Sequence, residues 1–200
     1  MPEVESRKPG LRELKKARTR AEIQRQALLL FQRQGYAATT VEQIAAAAEV
    51  SQSTFFRYFP TKEDVVLYDD YDPKFLAALL EQPTDLAPIP ALRGAMRQVF
   101  SEIPADQIDL EYQRGRLINT EPDLRARALS ATMGSVEMLI GAVAERVGRA
   151  ATDFEVRNLV GAVFGAMFTA WQAMGESDGP VDMVATMDAA LAHLEAGLPI

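Results

Sequence analysis

The sequence has no cysteine and only one histidine, His193, among its 200 residues. The absence of cysteine excludes disulfides, thiol nucleophiles and thiolate metal sites, and a single histidine leaves little for a histidine-based metal site or catalytic triad. We therefore expect no metal and no other cofactor. His193 is better explained as a partly buried or interface residue than as a ligand or a base, so we assign it no chemistry.

The sequence also lacks any apolar run of 18 residues or more, and its first thirty positions lack the apolar stretch of a signal peptide. We therefore expect a cytoplasmic protein with no membrane association. With 48% hydrophobic and 24% charged residues, the chain suits one globular unit or a small domain joined to a larger one.

The net charge of −7 is distributed unevenly along the chain. Residues 1–62 contain 11 lysines and arginines against 6 aspartates and glutamates, a net +5, whereas residues 63–200 contain 10 against 22, a net −12. A basic segment joined to an acidic one is typical of a protein that binds a polyanion. Charge also varies along chains that have no such partner, so the motifs have to decide.

The first part of the chain predicts an arm followed by three short helices. Residues 1–18 combine proline, glycine and several cations with few apolar residues, which predicts a flexible basic arm. Apolar residues then recur at helical spacing from about Thr19 to Gly35, which is suited to ending a helix. Thr40 can begin a second helix through a capping box, and Ser51 can cap a third.

Beyond residue 64, helical periodicity alternates with breaks at proline, and no convincing strand is present. The predicted helices cover residues 61–81, 88–102, 106–119, 122–149, 152–176 and 180–197. The predicted fold class is therefore all-α, with a small three-helix domain at 19–66 and a larger helical domain at 67–200.

The stretch SQSTFFRYF, residues 51–59, has two faces when it is placed on a helix. At about 100° per residue, Phe55 and Phe59 share one side, while Ser53 and Arg57 fall at about 160° and 200° from Phe55. Two helical turns are not stable alone in water, so the phenylalanine side must be buried while the other points outward. Such a helix fits the major groove of DNA, although a solvated face on an ordinary core helix is the alternative.

Residues 30–66, LFQRQGYAATTVEQIAAAAEVSQSTFFRYFPTKEDVV, resemble the DNA-binding domain of the TetR family of transcriptional repressors. The resemblance implies a helix-turn-helix DNA-binding domain at 19–66, with its recognition helix at 52–58, and an effector-binding and dimerisation domain at 67–200. Residues 52–54 are the candidates closest to the bases. The expected DNA-binding residues are Arg18, Arg20, Thr40, Gln52, Ser53, Thr54, Phe56, Arg57, Tyr58 and Lys62.

Two positions depart from the family pattern. Glu49 stands in the turn where the family usually has glycine, which costs about 1 kcal/mol if the left-handed backbone is kept. Phe56 stands where tyrosine is common, and it has no hydroxyl to donate to a phosphate. The resemblance nevertheless favours DNA binding through Arg57, Tyr58 and Lys62.

The last two helices predict a homodimer. Residues 159–171 contain small side chains that permit close approach of helices, and apolar residues recur at helical intervals in 181–198. The family usually forms a four-helix bundle from two such helices of each subunit, and a palindromic operator requires two recognition helices about 34–36 Å apart. Both helices could instead build only the monomer core. The expected interface residues are Gly161, Gly165, Phe168, Val184, Met187, Leu191 and Leu194.

The resemblance also implies an effector pocket in the second domain. Mostly apolar candidates predict a small, largely hydrophobic effector, although each of them alone is better explained by core packing. The stretches FFRYFPTKEDVV and RGRLINTEPDLRAR resemble regulators of the mycofactocin type, which implies an acyl-CoA or fatty-acyl effector with Arg116 at its head. The candidates are Met96, Phe100, Tyr112, Met133, Met138, Phe164, Met167, Phe168 and Trp171, with Arg116 and Asn119 as polar anchors.

The leading hypothesis is a homodimeric, non-enzymatic repressor that binds double-stranded operator DNA and responds to this effector. Two alternatives stay open. A helical interaction module of the same fold could have lost specific DNA binding, with Glu49 and Phe56 as its signs. A small helical enzyme could use carboxylates such as Glu111 and Glu121, although no paired constellation is visible.

Overall fold

The computed structural model describes residues 10–69, 71–101, 103–176 and 181–200. These residues form ten helices and no strand, which confirms the all-α class, and they divide after Val66 into two compact units. Within these ranges no helix is both long enough and apolar enough to cross a membrane. The helices are α1 Leu11–Gln34, α2 Val41–Ala47, α3 Gln52–Tyr58, α4 Lys62–Leu67, α5 Tyr71–Glu81, α6 Pro88–Ser101, α7 Ala105–Thr120, α8 Pro122–Val147, α9 Phe154–Glu176 and α10 Met183–Glu195.

The first unit is a small helical core whose helix ends are set by local signals. The predicted capping box of α2 is confirmed, since the Thr40 N–H donates to Gln43 Oε1 (2.9 Å) and the Gln43 N–H donates to Thr40 Oγ1 (3.3 Å). The Thr54 N–H donates to Ser51 Oγ (3.1 Å) at the start of α3, as predicted. The buried apolar residues of this unit are Ile23, Ala27, Leu28, Phe31, Ile44, Ala45, Ala48, Phe55, Phe59, Val65 and Val66.

The start of α1 corrects the prediction of a flexible arm over residues 1–18. Residues 11–18 are helical, whereas residues 1–9 lie outside the described part of the chain. Gly10 is the N-cap of this helix, and its N–H donates to Glu13 Oε2 (3.0 Å). The lysines, arginines and leucines that follow are good helix formers, so this segment can be helical while it stays exposed.

The predicted helix at 61–81 is also wrong, because α4 ends at Leu67 and α5 begins at Tyr71. Pro73 explains the break: a proline cannot donate to the carbonyl four residues earlier, and its ring clashes with that carbonyl. In the first turn of α5 the same proline is tolerated. Asp69 caps the new helix, since its Oδ1 accepts from the Tyr71 N–H (2.7 Å).

The second unit packs α5, α6, α9 and α10 around one apolar cluster, and α8 with α9 around another. The first cluster includes Leu79, Leu92, Met96, Val163 and Leu191, all buried. The Arg146 guanidinium donates to four backbone carbonyls between residues 79 and 86, which fixes the connection from α5 to α6.

A salt bridge ties α6 to α10 in the same unit. Arg93 donates to both carboxylate oxygens of Asp188 (2.9 Å each) and to Glu195 Oε2 (2.6 Å). The hydrogen bonds from Arg93 lower the pKa of the Asp188 carboxyl below its ordinary value. Arg97 reaches the same carboxylate only at 3.8 Å and is largely exposed.

We expect the Arg93→Met variant to lose about 1–2 kcal/mol of unfolding free energy at neutral pH, because a two-pronged contact between charged groups is removed. Since the pKa of Asp188 is depressed in the folded protein, the contribution is present above the ordinary carboxyl pKa and is lost as the pH falls through the depressed value. The unfolding free energies of wild type and variant, measured by urea titration, should therefore converge at acidic pH. Arg97→Met is the control, and an equal loss in it would contradict this assignment.

Candidate nucleic-acid interface and internal cavity

Helix α3 has the two faces that its sequence predicts. Phe55 and Phe59 are buried to 0% and 1% exposure, and their rings lie 6.0 Å apart. Ser53 and Arg57, on the opposite side, are exposed. The polar side chains of α3 therefore project from a base that the core holds in place.

The hydroxyl groups at the start of α3 form a connected cluster. Ser51 Oγ donates to Thr54 Oγ1 (3.0 Å) and lies 2.9 Å from Ser53 Oγ. Thr54 is half-buried, and its hydroxyl is engaged by the cap residue Ser51. Gln52 and Ser53 are exposed. Of the three residues predicted to lie nearest the bases, the first two present more surface.

Tyr58 brings two predicted DNA-binding arginines together at the end of α3. The guanidinium carbon of Arg57 lies 5.5 Å from the centre of the Tyr58 ring, and that of Arg20, from α1, lies 5.9 Å from it. Contacts of this kind orient a cation over the face of an aromatic ring. Two positive charges therefore lie beside the exposed face of α3. Arg18, also on α1, is exposed.

The structure places Lys62 differently from the other predicted DNA-binding cations. Its Nζ donates to the carbonyl oxygens of Tyr36 (2.9 Å) and Thr39 (3.0 Å), and it lies 4.2 Å from the centre of the Tyr36 ring. Two of its three N–H donors thus hold the turn between α1 and α2. The adjacent Glu63 accepts a hydrogen bond from the Tyr36 hydroxyl (2.8 Å), so this end of α4 is fastened to that turn.

The two departures from the family pattern have different structural consequences. Glu49 has φ 54°, so the left-handed backbone expected at this turn is kept without glycine. Phe56 is 49% exposed and packs edge-on against Phe55. A ring of this kind beside the polar face offers apolar contact in place of a hydroxyl.

The second unit contains a half-open cavity of about 570 Å³ between its helices. Apolar and aromatic side chains dominate its wall. Arg114, Asp69, Asp72 and Ser135 supply polar groups that the sequence analysis did not identify, and Glu111, considered there only as an enzyme carboxylate, also lines the wall. The sequence gives little sign that these polar residues face a cavity, because a polar residue on a helix is usually exposed to solvent. Of the predicted residues, the wall includes Met96, Phe100, Met138, Phe164, Met167, Phe168 and Trp171.

The predicted polar anchors lie elsewhere. Tyr112, Arg116 and Asn119 line an adjoining pocket of only about 20 Å³, and the Tyr112 hydroxyl donates to the carbonyl of Met174 (3.2 Å). The two pockets share Glu111, Gly115, Trp171 and Met183. Met133 is on neither wall, and its side chain is 57% exposed. Arg116 does not line the large cavity, because α7 turns Arg114, two residues earlier, toward that cavity.

The predicted dimer residues fall into two groups. Gly161 and Gly165 on α9 are exposed and have nothing within 4 Å of a Cβ built on them, and Val184 and Leu194 on α10 are half-buried. Leu191 is wrong as an interface residue, because it is 2% exposed within a single chain and lines the cavity. Met187 and Phe168 line the cavity as well.

Comparison with known proteins identifies both units. A family model described as "Bacterial regulatory proteins, tetR family" matches residues 23–68, and one described as "MftR C-terminal domain" matches residues 86–199. The transcriptional regulator TcmR of Streptomyces glaucescens is 40% identical over 167 residues, which are 80% of this chain and 74% of TcmR.

Two further relatives span nearly the whole chain. A Mycobacterium tuberculosis protein that carries the name mycofactocin biosynthesis transcriptional regulator MftR is 27% identical over 175 residues, 86% of this chain and 87% of its own length. The crystal structure of Thermus thermophilus FadR, a TetR-family repressor in complex with lauroyl-CoA, is 28% identical with a TM-score of 0.53, and the match covers 90% of this chain and 95% of FadR. The predicted resemblance is thereby confirmed.

We expect the Glu49→Gly variant to raise the unfolding free energy by about 0.5–1 kcal/mol, since glycine adopts φ 54° without a steric cost. Thermal unfolding measures the change. Glu49→Ala is the matched control, because it removes the same charge but keeps a Cβ in the left-handed backbone. Equal stabilisation by both substitutions would assign the effect to charge and contradict the backbone explanation.

Proposed function

This chain belongs to the TetR family of transcriptional regulators, and we propose that it is a repressor that binds a palindromic operator as a homodimer and is released by a small, largely hydrophobic effector. The observation that carries the proposal is the exposed polar face of α3, which projects from the buried Phe55 and Phe59. Such a protein works in the cytoplasm, where it has access to the chromosome.

The DNA contacts divide by chemistry. Gln52 and Ser53 at the start of α3 are placed to reach base edges in the major groove, where such side chains discriminate between bases. Arg57, Arg20 and the cap residue Thr40 are suited to phosphates, which give affinity without sequence information. Lys62 contributes chiefly by positioning α4 through its two carbonyl contacts.

Helices α9 and α10 pack against each other. The dimer proposal rests on the outer faces of these two helices. Both faces expose mainly small residues: Gly161, Gly165 and Thr169 on α9, and Ala185 and Ala189 on α10. Small side chains let two copies bring these helices close together, and a two-fold arrangement would pair two α3 helices for one palindrome. His193 is exposed on the same helix, which fits an interface position.

The effector proposal rests on the cavity of about 570 Å³, a size typical of small-molecule sites. An effector can release DNA only by binding one conformation of the protein more tightly than the other. A fatty-acyl effector is one candidate, because the related FadR holds lauroyl-CoA and the apolar wall here would accept an acyl chain.

The first test is binding of the purified protein to the DNA that flanks its own gene, compared with scrambled DNA, over a salt series. We expect tight binding to the specific DNA with a steep salt dependence, since counterions are released from phosphates. Arg57→Ala should weaken specific binding by roughly 1–3 kcal/mol in fluorescence anisotropy at fixed salt. Arg97→Ala, in the second unit, removes the same charge and should leave the affinity unchanged.

The outcome separates the proposal from its alternative. Equal, weak binding of the protein to flanking and scrambled DNA, together with an unchanged affinity of Arg57→Ala, would favour a helical interaction module that has lost specific DNA binding. Loss of binding in both arginine variants would assign the effect to net charge, and the recognition role of Arg57 would be wrong.

The oligomeric state can be tested on α10. We expect wild type to be a dimer by light scattering and Ala189→Arg to be largely monomeric, because a long cation in a close helix contact cannot be accommodated without desolvation. Ala77→Arg, at an exposed position of α5, is the matched control and should stay dimeric. A monomeric wild type would overturn the homodimer.

A further inference from the structure

The cavity of the second unit has a polar end and an apolar remainder. At the polar end, Asp69 lies just before α5 and Asp72 lies in its first turn. Glu111 and Arg114 come from α7. Residues of α6, α9 and α10 supply the apolar wall. Apart from Arg125, the charged side chains on the described cavity wall therefore come from residues 69–72 and 111–114.

The cation at this end is already neutralised by carboxylates. Arg114 Nε donates to Glu111 Oε2 (2.7 Å), and Arg114 Nη2 donates to Asp69 Oδ2 (3.3 Å). The Arg114 side chain is 12% exposed, and its Nη1 also donates to the carbonyl of Tyr68 (3.3 Å). An anionic ligand head would therefore gain little from Arg114, because Glu111 and Asp69 already balance its charge.

Asp72, unlike Asp69 and Glu111, is not paired with Arg114. It accepts a hydrogen bond from the Ser135 hydroxyl, and no lysine or arginine of the described ranges forms an ion pair with it. A carboxylate has about four acceptor positions, so Asp72 can accept more hydrogen bonds than Ser135 supplies. It lies in the first turn of α5 and on the wall of the cavity. Asp72 therefore offers a ligand an acceptor with negative charge.

Aromatic rings line the cavity on two sides. Tyr71 and Phe100 stack with their ring centres 6.0 Å apart, and Phe164, Phe168 and Trp171 follow one another along α9 at 6.3 Å intervals. Gly115 lets the Trp171 indole approach α7, since a Cβ at that position would lie 2.9 Å from its Nε1. Flat π faces favour aromatic rings and cations over flexible alkyl chains.

We propose that the effector is a polycyclic aromatic molecule with hydrogen-bond donors, either a protonated amine or hydroxyl groups, and that Asp72 accepts from those donors. The inference rests on the proposed function, since it takes this cavity as the effector site. The exposed Arg125, at the start of α8, is the one other cation on the described cavity wall, and it could meet only a group at the rim. A long-chain acyl-CoA therefore fits the polar end less well than a donor-bearing aromatic compound.

The test uses the full-length protein and three probes: crystal violet as an aromatic cation, quercetin as a hydroxylated aromatic, and lauroyl-CoA as an anionic acyl compound. Trp171 is the single tryptophan of the sequence and lies in the cavity wall, so its fluorescence reports occupancy directly. We expect one or both aromatic probes to quench Trp171 at lower concentrations than lauroyl-CoA, and calorimetry gives the affinities.

The Asp72→Asn variant examines the proposed contact. It keeps an acceptor for Ser135 but removes the charge, so we expect the affinity for crystal violet to fall about tenfold while that for lauroyl-CoA does not fall. Asp109→Asn, an exposed position of α7 outside the cavity wall, is the matched control and should bind like wild type. Thermal unfolding verifies that both variants are folded, and the ranking of probes on wild type does not depend on either variant.

Three results would overturn the inference. Binding of lauroyl-CoA without either aromatic probe would assign the cavity to anionic acyl compounds, and equal affinity of wild type and Asp72→Asn for crystal violet would remove Asp72 from the site. Both leave the proposed regulator intact if the unliganded protein binds operator DNA by anisotropy. Failure of that separate DNA measurement would defeat the proposed function, and with it the basis of the inference.

Discussion

Burial of Phe55 and Phe59 fixes the direction in which α3 presents its polar side chains. The helix has seven residues, too few to be stable in water without tertiary contacts. Because the two rings occupy one side, Ser53 and Arg57 have to face the other, and the Ser51 cap sets where the helix begins. Lys62 then ties the following helix to the turn at Tyr36. The proposed DNA-reading surface thus follows from packing that involves no DNA.

Sequence reasoning succeeded where one local signal decides the outcome, as at the Thr40 capping box, the Gly35 helix end and the two faces of α3. It failed where two signals compete. Helical periodicity runs through 61–81, yet Pro73 prevents a continuous helix. Which arginine lines the large cavity could not be predicted for another reason: Arg114 and Arg116 are equally plausible by composition, and only the rotation of α7 in the packed unit separates them.

The break before α5 also creates the polar end of the cavity. Since no helix runs through Tyr68 and Asp69, the carbonyl of the first and the carboxylate of the second are available to Arg114, and Asp69 can cap α5. The same turn places Asp72 in the first turn of α5, within reach of Ser135 on α8. A proline that interrupts a helix thereby supplies the charged groups with which the cavity can select a ligand.

The opposite charges of the two parts of the chain bear on how binding to DNA is achieved. Residues 63–200 carry a net −12, which repels a phosphate backbone, so attraction has to come from the net +5 of residues 1–62. At physiological ionic strength charges are screened beyond about 8 Å. In the proposed complex with DNA, the local cations Arg20 and Arg57 beside Tyr58 then matter more than the total charge. In the proposed complex the acidic remainder opposes weak, indiscriminate association with nucleic acid, because only a surface that brings α3 into close contact overcomes the repulsion. Specificity is thus favoured by charge as well as by shape.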